Sequence, residues 1–79
     1  MTKYELLEYL ESLNGGPQAT AAEVAAAFGE DDAAAGMALL RLVRQGLASR
    51  EFDEAAGAYA YALTDKGRDR LAYFAGEAE

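Results

Sequence analysis

Gly46-Leu47-Ala48-Ser49-Arg50 and, a few residues on, Tyr61-Ala62-Leu63-Thr64-Asp65-Lys66-Gly67 decide how this chain folds. Gly46 is placed to close a helix, because glycine tolerates the left-handed conformation that ends one. Leu47 to about Phe52 reads as a strand, and Asp53-Glu54-Ala55-Ala56-Gly57 as the turn after it. Ala58-Tyr59-Ala60-Tyr61-Ala62-Leu63 alternates small and large, the period of a second strand. Tyr59, Tyr61 and Leu63 then share one face, and Ala58, Ala60 and Ala62 the other. The tyrosines suit packing against helices with hydroxyls reaching water; the competing reading is a platform on which bases stack. Thr64 caps a last helix, whose apolar side is Leu71, Phe74 and Ala75. Gly67 falls in its first turn, where its small size allows close approach to the strands.

Working back from Gly46, the preceding helix runs from about Asp32 to Gln45, with Ala35, Ala38, Leu39, Leu42 and Val43 as its core stripe. Glu30, Asp31 and Asp32 stand at its start, where carboxylates complement the helix dipole. Capping is preferred there over metal binding, because one turn of three acids offers too few ligands. Thr20-Ala21-Ala22-Glu23 is a capping box, opening a helix that runs to about Phe28 and ends at Gly29. Ala21, Val24, Ala25 and Phe28 are its apolar face. The first helix spans residues 2–14, with Leu6, Leu7, Leu10 and Leu13 on one side and Tyr4 and Tyr9 at the core edge. Asn14-Gly15-Gly16-Pro17 stops it. The alanine runs at 25–27 and 33–35 lie inside amphipathic segments and read as helix. Gly76-Glu77-Ala78-Glu79 reads as a fraying tail.

With 79 residues the chain makes one domain, its ordered core about 3–75, of fold class α+β. It has no cysteine and no histidine, which removes disulfides, the usual soft metal ligands and the commonest general base. Ser12 and Ser49 have no evident base, and no phosphate-cradling glycine loop is present. No catalytic residue, cofactor or metal site is therefore expected. The longest apolar run is far short of a membrane span. Met1-Thr2-Lys3 leads directly into an amphipathic helix, so no signal peptide is expected and a cytoplasmic protein is the default.

Charge is distributed unevenly. The net charge is −7, and residues 1–40 hold one base, Lys3, against seven acids. The remaining bases are Arg41, Arg44, Arg50, Lys66, Arg68 and Arg70. The simplest reading of these is that they balance neighbouring acids on solvated helix faces.

The order helix, helix, helix, strand, turn, strand, helix resembles the winged helix-turn-helix superfamily, especially MarR-like and PadR-like bacterial regulators. The resemblance is carried by Leu39, Leu42, Gly46 and Leu47, spaced as at the end of a recognition helix. It is also carried by Leu63-Thr64-Asp65-Lys66-Gly67-Arg68, similar to the entry of the helix after the wing. It covers roughly residues 4–75 and implies a three-helix helix-turn-helix core, a two-stranded β-hairpin wing and a C-terminal helix. It also implies that the third helix enters a DNA major groove. The matching outward positions are Ala33, Ala34, Gly36, Met37, Leu40 and Arg41, with Arg44 near the exit.

Of these side chains only the arginines donate hydrogen bonds to bases or phosphates. The wing tip, Ala55-Ala56-Gly57, is preceded by Asp53 and Glu54, which repel phosphate. The residues thus point first to a non-enzymatic module that binds protein, either a partner or a second copy in a homodimer. Its contact face is Ala33, Ala34, Gly36, Met37, Leu40, Arg41 and Arg44, with Ala33, Met37, Leu40 and Arg44 in line along it. Leu40 has a second reading, as core folded against the wing or the last helix. The alternative function is a small DNA-binding, transcription-regulator-like protein using Arg41, Arg44 and Arg50, with weak affinity.

Overall fold

A computed structural model describes residues 1–13 and 18–77. The stop expected at 14–17, the end of the tail and the side-chain role of Ala75 lie outside the described residues. The elements are α1 (Lys3–Ser12), β1 (Ala19–Thr20), α2 (Ala21–Phe28), α3 (Asp32–Arg44), β2 (Ala48–Asp53), β3 (Ala58–Leu63) and α4 (Asp65–Glu77).

The class is α+β: the described residues form four helices and one antiparallel sheet in the order β1-β3-β2. The sheet has three strands, not the two of the expected hairpin. The extra strand, β1, is only two residues long and pairs Ala19 with Tyr61 and Thr20 with Ala60. A two-residue strand shows no period in sequence; it forms because β3 has a second edge whose backbone groups need partners. The expected hairpin is present, shifted by one residue in β2, with Ala48 opposite Leu63 and Asp53 opposite Ala58. The last helix runs on to Glu77, into the first two residues of the segment expected to fray.

Helix starts follow local chemistry. Thr20 and Glu23 form the reciprocal capping box, Glu23 N donating to Thr20 Oγ1 at 3.2 Å and Thr20 N to Glu23 Oε1 at 3.0 Å. Thr2 and Glu5 make the same box at the start of α1. Asp31 caps α3, its Oδ1 accepting from Ala34 N at 2.7 Å.

The end of α3 sets the course of the rest. Leu47 N donates to Leu42 O at 2.9 Å and Gly46 N to Val43 O at 3.0 Å, a Schellman closure. It needs Gly46 at φ 77°, where a side chain would be strained. The start of α4 then clamps this turn. Thr64 Oγ1 accepts from Gly67 N at 3.0 Å and donates to Gly46 O at 2.7 Å, while Lys66 Nζ donates to Gln45 O at 3.0 Å. Gly67 is buried against the chain between α3 and β2: a Cβ there would overlap the Leu47 carbonyl oxygen. The Leu63–Gly67 segment is thus a mechanical joint between the sheet and α4.

The core gathers Leu6, Leu7 and Leu10 of α1, Val24 and Ala25 of α2, and Ala35, Leu39 and Leu42 of α3 under Leu47, Ala48, Tyr61 and Leu63. Tyr9 and Tyr4 sit at its edge, edge-on to Phe28 at 5.6 Å and to Phe74 at 6.2 Å. Leu39 and Leu42 point inward, which turns the opposite side of α3 to solvent.

Candidate functional site

The outward side of α3 is built by its period. Ala35, Leu39 and Leu42 bury one side, so Ala33, Ala34, Met37, Arg41 and Arg44 emerge on the other, and all five are exposed. Met37 stands at the centre, 54% exposed. Gly36 and Leu40, also expected on this face, are half-buried. Gly36 lies on the flank toward α2, where a Cβ would come 4.0 Å from Ala21 Cβ. The line of Ala33, Met37, Leu40 and Arg44 is therefore a narrower apolar ridge than the spacing alone implies, with Leu40 as its partly covered shoulder.

Arg41 and Arg44 occupy the last turn of α3, where a cation complements the negative end of the helix dipole. Among the described residues, no carboxylate lies within 4 Å of Arg41, Arg44 or Arg50. Charge balancing holds instead for Arg68, whose Nε is 3.3 Å from Glu11 Oε2 and whose NH1 is 2.9 Å from Asp65 Oδ1. That arginine ties α4 to α1. Arg41 also borders a cleft of about 140 Å³ with Met1, Thr2, Lys3 and Leu6. This is well under the roughly 300–1,000 Å³ of small-molecule sites.

Arg50 belongs to the hairpin. It shares a face with Phe52 on β2 and Tyr59 on β3, and its guanidinium lies 4.2 Å from the Tyr59 ring centroid. Phe52 and Tyr59 sit directly opposite, edge to face at 5.5 Å, and are 56% and 42% exposed. The two tyrosines of β3 therefore part company. Tyr61 packs in the core; Tyr59, two residues nearer the tip, has outrun the helices. Sequence reasoning passed over Phe52. The signal was present, since β2 alternation puts Phe52 on the face of Arg50, across from Tyr59.

Acids flank these surfaces. Asp31 and Asp32 lie exposed at the start of α3, and Glu51, Asp53 and Glu54 in the hairpin. Among the described residues, no group of three or more acids is arranged to hold a metal ion. Among the described residues, no helix is long and apolar enough to cross a membrane. The arrangement offers exposed apolar and aromatic contact area beside arginines that have no carboxylate partner among the described residues, set in a negative field. Comparison with known proteins found no match to a protein-family model, to a curated protein or to a solved structure.

Proposed function

We propose that this chain is a non-enzymatic winged-helix-like module, with α3 as its recognition element and the β2–β3 hairpin as its wing, that binds protein in a regulatory role. The order helix, strand, helix, helix, hairpin, helix is compatible with that arrangement, and the joint at Leu63–Gly67 supports the resemblance to MarR-like and PadR-like regulators. The observation that carries the reading is Met37, a large flexible apolar side chain 54% exposed at the centre of the outward face. Ala33 and Ala34 beside it are small and leave room for a partner helix to approach. Arg41 and Arg44 supply a polar rim. Protein is favoured over DNA because phosphate attraction dominates DNA affinity, and here Arg41, Arg44 and Arg50 work against a net charge of −7.

The test is Met37→Asp, with Met37→Asp/Leu40→Asp as the stronger variant. Light scattering over a concentration series reads self-association, with a second copy as the first partner examined. Met37→Asp should abolish the larger species while melting stays cooperative and unshifted. If the wild-type chain instead stays monomeric and binds random duplex tighter than about 10⁻⁶ M at physiological salt, the alternative holds.

That alternative, DNA binding through Arg41, Arg44 and Arg50, is favoured by one observation, the lack of carboxylate partners for these three among the described residues. Loss of sequence-specific binding on Arg41→Ala would establish it.

A further inference from the structure

β2 is an open edge. In the order β1-β3-β2 it pairs only with β3, and all of its residues after Ala48 are exposed. Thr64 N donates to Leu47 O at 3.1 Å, which makes 47–64 a hydrogen-bonded pair of the ladder. Alternation then turns the N–H and C=O of Ser49 and Glu51 toward β3, and those of Arg50 and Phe52 away from it. Among the described residues, no other element supplies backbone partners to Arg50 or Phe52. A row of unsatisfied donors and acceptors is a template for another strand.

The two faces at this edge differ in chemistry. On one, Phe52, Tyr59 and Arg50 present rings and a guanidinium. On the other lies an open groove of about 400 Å³, where Glu51, Asp53 and Glu54 join Gln18, Phe52 and Ala60 in the lining. Asp53 is already engaged, its Oδ1 accepting from Ala55 N at 3.0 Å and Ala56 N at 3.3 Å. Among the described residues, Glu51 and Glu54 have no ion pair. A strand added here meets a negative face on one side and an aromatic face on the other.

A second copy fits this edge poorly. Two-fold antiparallel pairing keeps like face with like, so the central pair is a residue opposite itself. The two registers that overlap most of β2 centre on Arg50 or on Glu51, and each sets like charges opposite, which is destabilising.

We propose that the β2 edge receives an extended segment of a partner protein as an added strand, with lysine or arginine at alternate positions over Glu51 and apolar residues between them against Phe52 and Tyr59. Main-chain bonds to Arg50 and Phe52 supply the pairing, and the two faces supply the selection. The surface uses residues distinct from the outward face of α3, so the two proposals stand or fall separately, and Met37→Asp should leave this one intact.

The probe is a short capped peptide alternating lysine and valine, compared with a block-ordered peptide of the same composition. Amide hydrogen exchange on the full chain is the primary readout. The alternating peptide should protect the Arg50 and Phe52 amides and leave Glu51, already bonded in the ladder, unchanged. Phe52→Pro removes an outward N–H at an edge, where proline is tolerated; it should abolish binding, while Phe52→Ala, which removes only the ring, should weaken it. Glu51→Lys should weaken binding severalfold, more at low salt than at high. The proposal is overturned if roughly millimolar alternating peptide leaves Arg50 and Phe52 unprotected, or if the block peptide binds as well. It is equally overturned if Phe52→Pro binds like Phe52→Ala, or if the chain protects the same amides by pairing with itself.

Discussion

Gly36 and Gly67 both lie inside helices, and alanine at each should move stability in opposite directions. In α3, a Cβ at Gly36 meets only Ala21 Cβ at 4.0 Å, an ordinary contact. Helix propensity then decides, and Gly36→Ala should stabilise by about 0.5–1 kcal/mol. The same propensity gain is on offer at Gly67, but the site is closed. A Cβ there would overlap the Leu47 carbonyl oxygen, lie 2.6 Å from Leu63 Cδ1 and come within 3.1 Å of the Leu47 carbonyl carbon. That carbonyl has little freedom to retreat, because it accepts from Thr64 N at 3.1 Å. Overpacking costs about 1–3 kcal/mol, and a disturbed Leu47–Thr64 bond adds about 1 kcal/mol. The sum exceeds the propensity gain, so Gly67→Ala should be net destabilising by about 1–3 kcal/mol. Urea unfolding followed by circular dichroism reads both variants, with the midpoints moving apart at an unchanged slope. In thermal melts each kcal/mol should displace Tm by roughly 4–8 °C. A Gly67→Ala variant as stable as wild type would refute the close approach of α4 to the β2 entry, and with it one support for the proposed winged-helix-like reading.

Leu42→Ala should cost about 2–5 kcal/mol, since Leu42 is 2% exposed among α1, α3 and the sheet; a melt like wild type would mean that α3 faces the other way. The Thr2 backbone N–H, and next its hydroxyl, hold the Glu5 carboxyl below the ordinary carboxylate range. A depressed folded value contributes stability above the unfolded pKa that is lost as pH falls through the folded one. Thr2→Ala keeps that backbone N–H and removes only the hydroxyl, so it should raise the Glu5 titration part of the way toward the ordinary range and slightly blunt the loss of stability on the acid side; an unmoved Glu5 carboxyl resonance in an NMR titration would refute the hydroxyl's share in the cap. Any duplex DNA binding should show a shallow salt dependence, a log–log slope near about −2.7 for three neutralised phosphates, and a much steeper slope would reveal basic contacts beyond Arg41, Arg44 and Arg50.

What the sequence by itself determined is what local chemistry dictates. Thr20 with Glu23, Asp31 before α3, and Thr64 before α4 each find their partner three residues away, so the helix starts were legible. Gly46, the 53–57 turn and the alternation of β3 were legible for the same reason: they are conformational demands of single residues or of a period. The Thr2–Glu5 box had the same signature and went unread. The tertiary structure decided everything that depends on which elements meet. It created β1, whose two residues have no pattern of their own and exist as a strand only against Tyr61 and Ala60. It separated Tyr61 from Tyr59, which share a face in sequence but not a depth, because the hairpin reaches beyond the helices. It half-covered Gly36 and Leu40, whose exposure depends on how α3 packs against its neighbours and not on the α3 period. It also gave Arg68 a partner on α1 while leaving Arg41, Arg44 and Arg50, among the described residues, without a carboxylate within 4 Å. Periodicity fixes direction within an element; burial and pairing depend on neighbours brought in from elsewhere in the chain, and these are set only when the helices and sheet pack together.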